Sequence, residues 1–349
     1  MADGPRRDAG LLKAAFAFIA AVFFVIVLRE LRAIFIPFCF ALFLYFLLNG
    51  VVHRLLGWRV PKPLVLAGVL AAIFVCLYLS GLLLFTGTAS FIHQFPAYSE
   101  RVTQLLKSTL ANLKLPLIDV KHYIAGIDWD NIFNPAQITA LVSGTMGNFT
   151  SFIGNLLLVL LLLMFMLGEK VPMVTRIART LSPHRAEELL DMVTTIEARI
   201  QHYLFIKTLM SAATAALAAL ILIVGRVDFL IFSALLVFLL NYIPTFGSLL
   251  STLFPALITF LKYGFSPRFI LVSVALMAMQ FAMGNVLEPQ VMGKSMNLSP
   301  IIILLSLIFW GWLWGVVGMF LAVPITAAIQ IVFASVPSLK PVAAAMCGE

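Results

Sequence analysis

The chain predicts an all-α polytopic membrane protein. About eight hydrophobic membrane segments are expected, with two re-entrant or broken-helix units in the C-terminal half and amphipathic helical insertions. Three observations predict this class. Hydrophobic residues make up 62% of the 349 and charged residues only 11%, with a mean hydropathy of +1.07; a soluble domain carries roughly a quarter charged residues. Apolar runs of about 20 residues, enough to cross the hydrocarbon core as a helix, recur along the chain. In the last third these runs are broken by Pro, Gly and Asn, and broken backbone at bilayer depth is tolerated only where protein or a water-filled cavity satisfies it.

The formal net charge of +8 reads in this setting as loop Lys and Arg that set topology, and carries no nucleic-acid signal. Cys39 and Cys76 lie in apolar runs and Cys347 in the tail. No CxxC or zinc spacing exists, and no disulfide is expected.

Residues 1–87 form an N-terminal three-span scaffold. Arg6, Arg7 and Lys13 precede an apolar stretch with no small-residue cleavage site after it, so the first span, 11–28, is read as uncleaved. The second, 33–52, follows after a very short turn. His53, Arg54, Arg59 and Lys62 make the next loop cytoplasmic, which places the N-terminus inside. Pro63 opens the third span, which runs to about Gly87.

Residues 88–148 are an extracytoplasmic insertion. Phe91, Phe95, Tyr98, Val102, Leu105, Thr109 and Leu113 recur at helical steps, a stripe suited to packing on a neighbour or a partner. Asp128 and Asp130 fall short of a calcium loop, so no metal is expected. The fourth span is 149–167. A cytoplasmic amphipathic insertion, 168–203, follows, in which Ser182 and Pro183 mark a helix start. It leads along the membrane face into a span at 204–224.

Residues 204–335 are expected to hold the transport site, and 336–349 form a tail. The run 229–261 is interrupted by Asn241-Tyr-Ile-Pro244-Thr-Phe-Gly247-Ser248, leaving arms of about 22 Å, too short for a comfortable crossing. The run 298–334 repeats the design, with two arms flanking Gly311 to Gly318 and Pro324 beyond. Between them, Asn285-Val-Leu-Glu288-Pro289-Gln-Val-Met-Gly293-Lys294 sets an acid, a proline and a glycine between apolar segments. A charged, broken segment between spans is how carriers build ion and solute sites; a water-exposed loop is the alternative. Trp310, Trp312 and Trp314 read as packing and interfacial anchors rather than ligand contacts.

Taken together, the blocks Asn241 to Gly247, Asn285 to Lys294 and Phe309 to Pro324 resemble the signatures of the autoinducer-2 exporter family, and the likeness extends over residues 11–335. This chain has Ser248 where members often have Pro, and Gln290 where they often have Lys. The resemblance implies a bacterial inner-membrane secondary transporter, an oligomer of like subunits, that moves a small solute outward. The solute is the furanosyl quorum-sensing signal or, in members similar to sodium–proton antiporters, an ion. An elevator-like motion of the hairpin half fits that reading.

Glu288 is the first candidate for proton or sodium coupling. Asn241 and Asn285 offer amide groups to a cation or a hydroxylated solute. Pro244, Gly247, Pro289 and Gly293, with Gly311, Gly315, Gly318 and Pro324, break helices and expose backbone. Lys294 is placed to pair with Glu288, which would make the pair structural. Lys207, Asp228 and Lys262 fall at span ends and read as snorkelling or solvated. No GxSxG, HExxH or phosphate-binding glycine loop is present, and His53, His93, His122, His184 and His202 are scattered, so neither an enzyme nor a cofactor is expected. A membrane scaffold without transport is the rival from another class.

Overall fold

The computed structural model describes residues 16, 19–20, 22–58, 60–112, 149–169, 173–244, 246–292 and 298–348. Residues 113–148 of the insertion, among them Asp128 and Asp130, and Thr245, Gly293 and Lys294, lie outside them. Every regular element among the described residues is helical, apart from one isolated bridge between Leu298 and Cys347. Seven of these helices are long and apolar enough to cross a bilayer, in keeping with the all-α polytopic class; the first predicted span, 11–28, is described only in part.

A helix at 22–30 (α1) turns at Leu31 into α2, Arg32–Gly57. Then come α3, Lys62–Asn112, α4, Phe149–Gly168, and the short α5, Met173–Ala178. The third span does not stop near Gly87: α3 runs on past Pro96 through the start of the insertion, where Phe91, Phe95 and Tyr98 continue the apolar face at helical steps. α6 is Pro183–Gly225, starting at the proline the sequence marked. Its amphipathic first half and apolar second half are one helix of 43 residues, about 65 Å long, so the expected turn along the membrane face is not made.

The chain divides into two compact units. One comprises Met1–Leu66, Leu157–Gln201 and Met296–Glu349. In it, α11, Pro300–Ser335, packs on α2, with Phe320 against the rings of Phe40 and Phe43. Trp310 and Trp314 are buried, and the Trp314 indole N–H donates to the Leu28 carbonyl at 3.1 Å, while exposed Trp312 lies under the Arg29 guanidinium. The tryptophans therefore pack and anchor. Gly315 breaks α11 with φ +66° and ψ −146°, a region only glycine enters without strain. Eight residues of straight helix would separate Trp310 from Gly318 by about 12 Å. Instead a Cβ on Gly318 would lie 1.9 Å from the Trp310 carbonyl oxygen, so the chain turns sharply here. The interruption is narrower than the expected Gly311–Gly318 stretch. Pro324 sits inside the second arm, and α12, Lys340–Met346, closes the chain.

The other unit comprises Ala67–Leu156 and His202–Ser295. Its elements are α7, Leu230–Leu240, α8, Phe246–Tyr263, α9, Pro267–Phe281, a π-helical turn Ala282–Leu287, and α10, Glu288–Met292. α7 has 11 residues, about 16 Å, too short to span hydrocarbon. It packs on α8, and α8 on α9. The core lies along α6, where Ile206, Met210, Ala218 and Leu222 recur on one face, and along α9, where Val272, Leu276 and Met279 do the same, continued by Met283 of the π-turn. Phe95 and Tyr98 of α3 are buried, and Phe91 sits edge-on to Phe229 and Phe254. The described part of the insertion's stripe thus packs on its own unit.

Candidate functional site

α6 carries Tyr203, Lys207, Ser211 and Thr214 at steps of four, four and three, so the four share one face. All four are buried. A buried polar stripe running into the apolar half of the helix needs partners, since an unpaired buried charge costs several kcal/mol. Thr214 satisfies itself by donating to the Met210 carbonyl at 2.8 Å. Lys207 finds its partner from the far end of the unit's sequence: its ammonium pairs with the Glu288 carboxylate. The lysine side chain is 3% exposed and the glutamate 17%.

Local chemistry places Glu288. Ser266 caps α9 by accepting from the Phe269 amide, with Pro267 at the first helical position. The helix then widens into the π-turn, where the Glu288 amide donates to the Met283 carbonyl, five residues back. Pro289 has no N–H to give, and in a regular helix its ring would press on the Asn285 carbonyl. A wider turn just before it relieves that clash. π-turns inside α-helices often mark functional sites, and this one carries Gly284 and Asn285 beside Glu288.

The hairpin of α7 and α8 supplies the opposite wall. Its tip turns at Asn241–Pro244, and Gly247 lets the second arm close on the first: a Cβ there would lie 1.7 Å from the Leu240 carbonyl oxygen. Asn241 is 4% exposed and donates to Ser211 Oγ at 3.2 Å. Gln280 of α9 donates to Asn241 Oδ1 at 3.4 Å. The Tyr242 hydroxyl donates to Thr208 Oγ1 at 2.7 Å.

These groups surround a cavity of about 550 Å³, a size that accommodates a small solute. Its polar lining includes Lys207, Asn241, Ser248, Gln280, Asn285 and Glu288. Ile243, Pro244, Leu249, Met277 and Phe281 supply apolar wall. The two charges compensate each other, so the cavity offers amides, hydroxyls and an ion pair beside hydrocarbon. Such a site can take a small hydroxylated molecule, or exchange a cation on the carboxylate if the lysine gives way. Among the described residues no group of three His, Cys, Asp or Glu is placed to hold a metal ion.

Of the residues singled out from sequence, Asn241, Pro244, Asn285 and Glu288 line this cavity together. Gly247 closes the hairpin beside it, and Pro289 follows Glu288 within α10. Gly311, Gly315, Gly318 and Pro324 belong to the other unit, where they shape α11. Glu288 pairs with Lys207, a residue expected from sequence to be snorkelling or solvated. The correction has a physical reason. Hydropathy set the span boundary where charges stop, but α6 continues through that point and turns Lys207 inward. The signal was present in the four-residue spacing of Lys207 and Ser211. Gln280, too, was visible only as one polar residue in an apolar run. Asp228 and Lys262 were likewise read as solvated or snorkelling, but they pair with each other at 2.5 Å, and Tyr98 donates to Asp228 at 2.9 Å.

Comparison with known proteins gives the same direction. The family model described as AI-2E family transporter matches residues 16–338. The chain is 32% identical over 311 residues to the AI-2 transport protein TqsA of Escherichia coli (strain K12), covering 87% of this chain and 86% of that protein. It is also 32% identical over 328 residues to a "Putative transport protein" of Haemophilus influenzae, covering 92% of each.

Proposed function

This chain belongs to the AI-2E family of membrane transporters, and from that premise we propose that it is an ion-coupled secondary carrier of the bacterial inner membrane. Its cargo in this reading is a small hydroxylated solute such as autoinducer-2, moved outward through the α6–α10 cavity. The observation that carries the proposal is the buried Lys207–Glu288 pair on the wall of that cavity, beside a π-turn and a hairpin tip.

The pair suits a coupling element. With Lys207 engaged, the cavity is electrically balanced and Glu288 is occupied. A proton or sodium ion that binds Glu288 competes with the ammonium, and displacing Lys207 changes how α10 and α6 are held together. Binding energy of the ion thereby reaches the groups that hold the solute. Asn241 and Asn285 are assigned to the solute, and Pro244, Gly247 and Pro289 to shaping the cavity wall. Sodium–proton antiport is the second reading, favoured by a carboxylate with amide and hydroxyl oxygens in one cavity. The N-terminus is assigned to the cytoplasm from the basic loop after α2, and the assembly to like subunits.

The test is reconstitution in sealed vesicles, with pH-driven sodium flux and outward movement of autoinducer-2 measured for wild type and Glu288→Gln. Solute movement driven by the gradient and lost in the variant is the expected result. Sodium flux without solute movement selects the antiporter. Undiminished flux of either kind in Glu288→Gln removes the pair from the mechanism.

A further inference from the structure

Three helix ends meet at Tyr263: α6 stops at Gly225, α8 at Tyr263 itself, and α9 begins at Pro267. Each lies in a segment long and apolar enough to cross a bilayer, so these ends belong at the edge of the hydrocarbon. The Tyr263 hydroxyl donates to the Arg226 carbonyl at 2.8 Å, and the Arg268 guanidinium lies over its ring, 5.0 Å from the centroid. Lys262 donates to the same carbonyl at 2.9 Å and pairs with Asp228. Asp228 is the one acid between residues 226 and 271, and the Tyr98 hydroxyl also donates to it. Arg226 and Arg268 are exposed, and among the described residues their guanidinium groups make no ion pair or hydrogen bond.

We propose that Arg226 and Arg268 bind the phosphodiester headgroup of an anionic phospholipid beside Tyr263. Two observations set these arginines apart from cations that merely reach for water. Arg226 holds φ +50°, a conformation costly for a side chain and kept where a binding role over-determines it. Arg268 stands in the first turn of α9, where the positive end of the helix dipole disfavours a cation unless an anion is at hand. Arg226, Lys262 and Arg268 face Asp228 alone, and Lys262 already neutralises it. The surplus positive charge selects a headgroup without a cation of its own over a zwitterionic one. Exposed Val224, Phe265 and Leu271 supply apolar surface for the acyl chains. The Asp228–Lys262 pair closes the base of the α7–α8 hairpin whose tip lines the cavity, so the lipid sits where that hairpin is anchored.

The experiment follows thermal unfolding of the full chain in an uncharged detergent with dioleoylphosphatidylglycerol, dioleoylphosphatidylcholine or inorganic phosphate added. Each variant is read against its own midpoint without additive. Wild type is compared with Arg226→Gln, Arg268→Gln, the double variant, and Arg185→Gln, which removes an exposed arginine at the other end of α6. Phosphatidylglycerol should raise the wild-type midpoint, and the other two additives should not. Each single variant should need about fivefold more of that lipid for the same rise, and the double variant about thirtyfold. Arg185→Gln should keep the full response, and the single variants carry the test should the double misfold. A response unchanged in both single variants, one weakened equally in Arg185→Gln, an equal response to phosphatidylcholine or to inorganic phosphate, or no response to phosphatidylglycerol overturns the inference. None of these results touches the carrier reading, which stands or falls on the flux of Glu288→Gln.

Discussion

The α7–α8 hairpin and the turn within α11 meet the same backbone problem with different side chains. In each, a glycine admits a carbonyl that any Cβ would strike, Leu240 at Gly247 and Trp310 at Gly318. In each, a proline lies further along the second arm, Pro255 and Pro324. The surroundings diverge. Asn241 and Tyr242 at the first tip bond to Ser211 and Thr208, next to a cavity holding an ion pair. The second turn is packed by Trp310, Trp314 and Phe320, and the Trp314 indole is tied to a backbone carbonyl. A closely approached glycine therefore marks each turn, while Pro255 and Pro324 stay inside their helices, and only the polar groups that meet the turn decide whether it serves chemistry or packing.

The sharpest way to break this comparison is at the two glycines. Gly247→Ala and Gly318→Ala each drive a methyl into backbone that cannot step aside, and each should cost more than about 3 kcal/mol or prevent folding. Gly284→Ala meets nothing closer than Gln280 Nε2 at 3.7 Å and should fold normally. Size-exclusion profiles and thermal midpoints of the three variants give the answer; a well-folded Gly318→Ala would mean that the turn in α11 is not the one described.

The ion pair comes next. Glu288→Gln alone strands a buried ammonium and should lose about 3–5 kcal/mol, whereas Lys207→Met leaves a part-exposed carboxylate on the cavity wall and should lose less. The double variant should recover a substantial part, because no uncompensated charge remains. A double-mutant cycle on chemical unfolding measures the coupling, and additive losses would sink the pairing. No comparable effect is expected in the other turn, where Trp314→Phe removes one hydrogen bond to Leu28 and should cost about 1 kcal/mol.

The smallest effect concerns the approach to the first hairpin. Arg226 is exposed with φ +50°, and Phe229 has φ +56°. Lys262 and Tyr263 hold the Arg226 carbonyl at 2.9 and 2.8 Å. Arg226→Gly keeps those backbone bonds and removes the left-handed penalty, so stability should rise by about 0.5–1 kcal/mol. A lower midpoint would assign the arginine side chain a role of its own.

Much of this was legible in the residues. Composition and run length determined the membrane class and the helical content, because a bilayer leaves the backbone few alternatives. The Pro183 helix start and both helix breaks also followed from local chemistry, and Asn241, Asn285 and Glu288, singled out from sequence, line one cavity. Tertiary structure decided the partner of Glu288. The sequence offered Lys294, six residues away, whereas the fold brings Lys207 from 81 residues away, a distance no periodicity encodes. It decided that α6 runs unbroken, because continuity of a helix depends on what its polar face meets. It also separated the two broken helices by their surroundings, since glycine allows the chain to turn, and contacts from distant segments fix what the turn encloses.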